Sequence, residues 1–133
     1  MRLQKASRYA LYAASELARD PDRQMSAGEI AAIYGISLNH LAKVLRELGR
    51  AGLVEAARGV GGGYRFVANP KRTSLYDIIA LFESPAGCAP AMREEGDMTP
   101  IGRSLGAVTQ EIDQIAEATL RSISLATLLR DAG

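Results

Sequence analysis

The chain has 133 residues, 47% of them hydrophobic, with 16 Lys and Arg against 15 Asp and Glu for a formal net charge of +1. That length suits one compact domain, or a small domain with an oligomerisation arm. It has no charged segment leading into an apolar run with a cleavage site, and no apolar run near 18 residues, so the expectation is a cytoplasmic protein without a membrane partner. One cysteine and one histidine exclude an intrachain disulfide framework and an ordinary zinc finger within one chain. The near-neutral total hides a division. Residues 1–73 hold 12 Lys/Arg against 6 Asp/Glu, a balance of +6, whereas residues 74–133 hold 4 against 9, a balance of −5. A basic front half suits a polyanion, although solvated faces also carry unequal charge.

Ser7 to Ala18 places Ala10, Leu11, Ala14, Leu17 and Ala18 on one helical face and ends before Asp20-Pro21-Asp22. Ser26 and Glu29 then stand in capping-box spacing, in which each satisfies a free N–H at the start of a helix. Ile30, Ala31 and Ile33 are expected to supply the apolar side of that helix, and Gly35 to stop it. Ser37 opens the next helix, where Leu41, Val44, Leu45 and Leu48 face one way. Asn39, His40, Lys43, Arg46 and Arg50 fall largely on the other side. Two short helices joined by a tight glycine-containing turn, the second with a cationic outer face, predict a helix-turn-helix. Such a pair also serves purely structural ends.

The stretch Arg58 to Phe66, RGVGGGYRF, holds four glycines in five positions. A phosphate-binding P-loop needs Lys-Ser/Thr after its last glycine, and Tyr64-Arg65 stands there instead. Dinucleotide fingerprints starting at Gly59 or Gly61 fail at Tyr64 and Phe66. The following run Tyr64-Arg65-Phe66-Val67 prefers a strand, not the helix that such a loop precedes. With Leu53 to Ala57 as a first strand, the run reads as a hairpin. Directly after a helix-turn-helix, that hairpin makes a winged helix, with Arg58 entering the wing tip. Its glycines allow backbone to pass close to a phosphate ridge or into a minor groove.

Beyond a basic turn at Asn69-Pro70-Lys71-Arg72, Ser74 begins a helix through Leu75, Ile78, Ile79 and Phe82. Residues 84–98 are rich in Pro, Gly and small side chains and read as a loop. Thr99-Pro100 is a cap followed by proline at the first helical position. The long helix it opens carries Ile101, Leu105, Val108, Ile112 and Ile115 in steps of 4, 3, 4 and 3. That stripe suits a partner helix, and the spacing is equally compatible with packing on its own domain. Ser124 to Leu129 is expected to be a short apolar terminal helix. The expected fold is therefore mostly α with a small β-hairpin wing: a DNA-binding winged helix-turn-helix over 1–83, a loop over 84–98, and a dimerisation helix and C-terminal helix over 99–133.

The segments MRLQKASRYAL, GISLNHLAKVLRELGRAGLV, RGVGGGYRF and SLATLL together resemble the Rrf-two family of bacterial transcription regulators, closely over 1–83 and in architecture over 99–130. The resemblance implies a homodimer that binds a near-palindromic site in double-stranded DNA, usually as a repressor. It also implies that Ser37, Asn39, His40 and Lys43 lie on the recognition helix, and that Arg58 lies on a wing entering the minor groove. With Arg46, Gly59 and Tyr64, these are the candidate DNA contacts. Two departures stand out. Ala42 falls where cluster-regulating relatives carry a polar side chain; alanine cannot hydrogen-bond a base edge but can meet a thymine methyl. Cluster-binding relatives also place three cysteines in the loop before the long helix, where this chain has Cys88 alone. No iron–sulfur cluster or other cofactor is therefore expected. Cys88 is left as a thiol sensor, a lone ligand or a loop residue without a task.

Two other functions stay open from the sequence. A winged helix that binds only a partner protein would need neither the cations of the second helix nor Arg58. A nucleotide-dependent enzyme lacks both the Lys-Ser/Thr pair and any nucleophile–base arrangement.

Overall fold

The computed structural model describes residues 2–58, 61–84 and 94–133. Its elements run α1 (Lys5–Arg19), α2 (Ala27–Tyr34), α3 (Leu38–Arg50), β1 (Val54–Ala57), β2 (Gly63–Phe66), α4 (Leu75–Ile79), α5 (Pro100–Ser122) and α6 (Leu125–Ala132). Gly59 and Cys88 lie outside the described residues.

Helix α1 is rich in alanine, and short side chains let neighbouring backbones come close on several sides. Helices α2, α3, α4 and α6 and strand β2 all pack against it. It therefore buries more than the single face its spacing predicts: Ser7, Ala13 and Ser15 join Ala10, Leu11, Ala14, Leu17 and Ala18. Its first turn has no cap of its own, since Gln4 makes no side-chain cap and no acidic residue stands there. Glu83 supplies one from beyond α4. Its carboxylate accepts the Gln4 backbone N–H at 2.9 Å and the buried Ser7 hydroxyl at 2.5 Å, which satisfies a free donor and places negative charge at the positive end of the helix.

Both caps anticipated in the helix-turn-helix form. Ser26 and Glu29 make the reciprocal capping box, and Gly35 ends α2 in the left-handed region at φ 64°. One expectation fails: Ile33 is 56% exposed. The buried row of this two-turn helix runs through Ala27, Ile30, Ala31 and Tyr34, a spacing of 3, 1 and 3 that leaves Ile33 off the contact. In α3 the predicted Leu41, Val44, Leu45 and Leu48 are all buried.

The hairpin pairs antiparallel with Val54 opposite Phe66 and Ala57 opposite Gly63. Val54 and Phe66 bury its base in the core. Tyr64 forms a further bridge to Met25, its N–H donating to the Met25 carbonyl at 2.7 Å and its carbonyl accepting from the Met25 N–H at 3.0 Å. This third strand position explains one glycine of the run. A Cβ at Gly63 would lie 2.6 Å from the carbonyl carbon and oxygen of Met25.

A second bridge, Ser74 to Ser124, brings the chain end back: Leu75 N–H donates to the Ile123 carbonyl and Leu125 N–H to the Thr73 carbonyl, both at 2.9 Å. Leu125 of α6 thus joins the core built from residues 1–83. Helix α5 behaves differently. It starts at the Thr99 cap with proline in its first turn, and only Leu120 along its length is buried. The five stripe residues stand in solvent, from 53% exposed at Val108 to 79% at Ile101, so they do not pack on their own chain. No described helix is long and apolar enough to cross a membrane.

Because the backbone of Met25 blocks any side chain at position 63, Gly63→Ala should force strand β2 away from it. The expected loss is about 1–3 kcal/mol, typical of overpacking, seen as a lower midpoint in urea unfolding. An unchanged midpoint would contradict the close approach.

Candidate nucleic-acid interface

The outer face of α3 is the densest collection of candidate residues. Ser37 caps the helix by accepting the His40 backbone N–H at 3.4 Å. Asn39, Lys43, Arg46 and Arg50 are exposed. Arg50 is held by Glu47 at 2.8 Å, whereas Lys43 and Arg46 make no ion pair among the described residues. These two cations are available to a polyanion without breaking an internal pair. His40 is placed otherwise than the outer-face pattern suggested. It is half-buried, its ring edge-on to Tyr9 of α1 with centroids 4.9 Å apart.

Arg58 follows directly on β1 and is exposed, with no ion pair among the described residues. Arg65 on β2 faces Glu55 across the hairpin at 3.8 Å. Tyr64 is half-buried and holds the hairpin to Met25 through its backbone. Lys71 and Arg72 are exposed in a turn that closes when the Asn69 side chain accepts the Lys71 N–H at 2.9 Å. The structure thus brings Ser37, Asn39, Lys43 and Arg46 together on α3 and sets Arg58 at the end of a strand that follows α3.

Two tyrosines that the sequence did not single out fix α2 against α1. Tyr12 and Tyr34 stack in parallel at 4.6 Å, and the Tyr34 hydroxyl donates to the Glu16 carboxylate at 2.5 Å. Burial pushes the Tyr34 phenol up from its ordinary value of 10.0, and the hydrogen bond to Glu16 adds to the rise. A chain-distant aromatic pair leaves no mark in local spacing.

Among the described residues no three His, Cys, Asp or Glu side chains are grouped to hold a metal ion. The Tyr34 shift gives a pH test. The unfolded phenol ionises near pH 10 while the folded one keeps its proton, so unfolding releases a proton above that pH. Tyr34 therefore contributes its full stability below about pH 10 and loses it as pH rises further. The stability difference between wild type and Tyr34→Phe should shrink between about pH 9 and about pH 11; a difference that stays constant over that range would contradict the buried hydrogen bond.

The comparisons with known proteins agree on one assignment. The Rrf2 (Rrf-two) family, described as "Iron-dependent Transcriptional regulator", matches residues 3–131. The HTH-type transcriptional regulator BadM of Rhodopseudomonas palustris is 55% identical over 130 residues, 98% of this chain and 82% of BadM. CymR, the global cysteine regulator of B. subtilis, superposes with a TM-score of 0.82 at 29% identity, covering 98% of this chain and 97% of that one. IscR of T. potens superposes at 0.79 with 27% identity, over 100% of this chain and 89% of its own. With its winged helix followed by a long C-terminal helix, the chain belongs to the Rrf2 family, whose members are transcriptional regulators and not enzymes.

Proposed function

We propose that the protein is a sequence-specific DNA-binding regulator of the cytoplasm, acting as a homodimer on a near-palindromic promoter site. The observation that carries this reading is the outer face of α3: a capped helix, backed by four buried apolar residues, that presents Asn39, Lys43 and Arg46 to solvent. Asparagine is suited to bidentate contact with adenine, and the two cations to phosphate. Ser37 can donate its hydroxyl hydrogen while it caps, and Arg58 with Gly59 and Tyr64 makes the wing contacts. His40 contributes at the helix start. Repression is the sign we assign, because a dimer seated in two grooves excludes other proteins from that stretch of promoter. A partner protein alone would leave the unpaired Lys43, Arg46 and Arg58 without a purpose.

Dimerisation is read from α5. Ile101, Leu105, Val108, Ile112 and Ile115 are large, apolar and exposed in heptad-like steps, a contiguous arrangement that monomers rarely leave in water. Two copies would then set two α3 helices in successive major grooves, roughly 34 Å apart.

An iron–sulfur cluster does not fit the donor set. Such clusters take about four protein ligands, mostly thiolates, and the chain has one cysteine. Two copies would bring two thiols. We therefore read the protein as cluster-free, with Cys88 as the sensor candidate in the segment that precedes α5.

Affinity should fall linearly on a log–log salt plot as phosphate contacts release counterions. Arg58→Ala should flatten that slope and weaken binding most where the minor groove is narrow and A/T-rich. Equal binding by Arg58→Ala and wild type at every salt concentration would remove the wing from the interface.

The double variant Val108→Glu/Ile112→Glu would bury two charges in the apolar seam, at several kcal/mol each after relaxation. It should sediment as a monomer with a retained helical spectrum and lose the DNA. A folded variant that stayed dimeric would show that another surface joins the two copies.

A further inference from the structure

Leu38 is the first residue of α3 and lies between Ser37 and Asn39. The other three leucines of the helix, Leu41, Leu45 and Leu48, are at 0% exposure, whereas Leu38 is 52% exposed. A large apolar side chain therefore stands in water at the helix end that enters a major groove in helix-turn-helix proteins. Ala42 follows four residues later, on the same side of the helix, and is half-buried. Asn39, Lys43 and Arg46 run beside it as an exposed polar row. The outer face thus has two rows, one apolar and one polar and cationic. The polar row suits phosphates and base edges, but an apolar residue beside it has no counterpart in them. The major groove offers one apolar group, the C5-methyl of thymine.

We infer that Leu38 is a specificity-determining residue that meets a thymine methyl in each half-site, so the protein distinguishes thymine from a base lacking that methyl. The inference rests on the DNA-binding reading above and adds a residue to it. The basic balance of residues 1–73 and the unpaired Lys43 and Arg46 favour DNA over a protein as what covers Leu38. The Ser37 cap holds the first turn in which the leucine sits.

The test uses the full chain and a duplex it binds specifically, with each thymine in turn replaced by deoxyuridine, which removes only the methyl. Wild type should lose about threefold to fivefold in affinity per half-site at one symmetry-related pair of positions, the effect expected for one buried methyl. Leu38→Ala should bind the thymine and deoxyuridine duplexes equally. Leu38→Met, which keeps apolar reach, should retain discrimination at the same positions. Because the side chain is exposed, both variants should unfold at the wild-type temperature. Equal wild-type binding to thymine and deoxyuridine at every position would overturn the inference while leaving the DNA-binding reading standing. So would full methyl discrimination by Leu38→Ala, which would assign the contact to Ala42. Failure of wild type to bind any duplex specifically would overturn the DNA-binding reading and the inference with it.

Discussion

Everything in the fold depends on how closely other elements approach α1. Ala10, Ala13 and Ala14 have no exposed surface, and each offers a neighbour only a methyl. Alanine also favours the helix it sits in, because no side-chain entropy is lost on ordering. The helix can therefore be straddled on several sides at once, by α2 and α3, by β2 and by α4 and α6. A larger side chain at these positions would push one of those elements outward, because protein cores are close-packed.

Two consequences follow for the proposed DNA-binding face. The buried side of α3, Leu41 to Leu48, rests on α1, so α1 sets the direction in which Asn39, Lys43 and Arg46 face. On another side α1 meets α4, and α4 in turn meets α5, where the Arg121 guanidinium lies over the Tyr76 ring at 3.7 Å. Packing contacts therefore connect α5 to α3 by way of α4 and α1. Glu83 stands on that route. It belongs to the chain immediately before residues 84–98, and its carboxylate caps α1. The wing depends on the same assembly from its other end, through Phe66 in the core and the Tyr64–Met25 bridge.

Much of this was legible in the sequence because it was local. Caps at Ser26, Ser37 and Thr99, helix starts at Ser74 and Ser124, the stop at Gly35, and the 3-1-3 spacing of Leu41 to Leu48 are all decided within one or two turns of chain. The stripe of α5 was equally clear, but spacing alone could not say whether it packs on its own chain, and all five residues stand exposed. What was hidden is long-range. Ala13, Ser7 and Ser15 lie off the apolar face that the spacing marks, so they were invisible until five elements closed on α1. Gly63 was read as one of the wing-tip glycines that let backbone approach DNA, whereas the Met25 backbone, far away in sequence, leaves no room for a side chain there. Ile33 was obscured for the opposite reason: it was assigned to the apolar side of α2, and so short a helix buries only one row.

The central claim is that two copies of this chain read a DNA sequence with symmetric α3 helices. It is tested most directly by selecting bound duplexes from a fully randomised pool with the purified wild-type protein and sequencing the survivors. The account predicts enrichment of a motif with two inverted half-sites whose centres are about 10 base pairs apart, one helical turn. Survivors with no shared motif, retained only at low salt, would contradict it and leave the cationic face of α3 as a nonspecific surface.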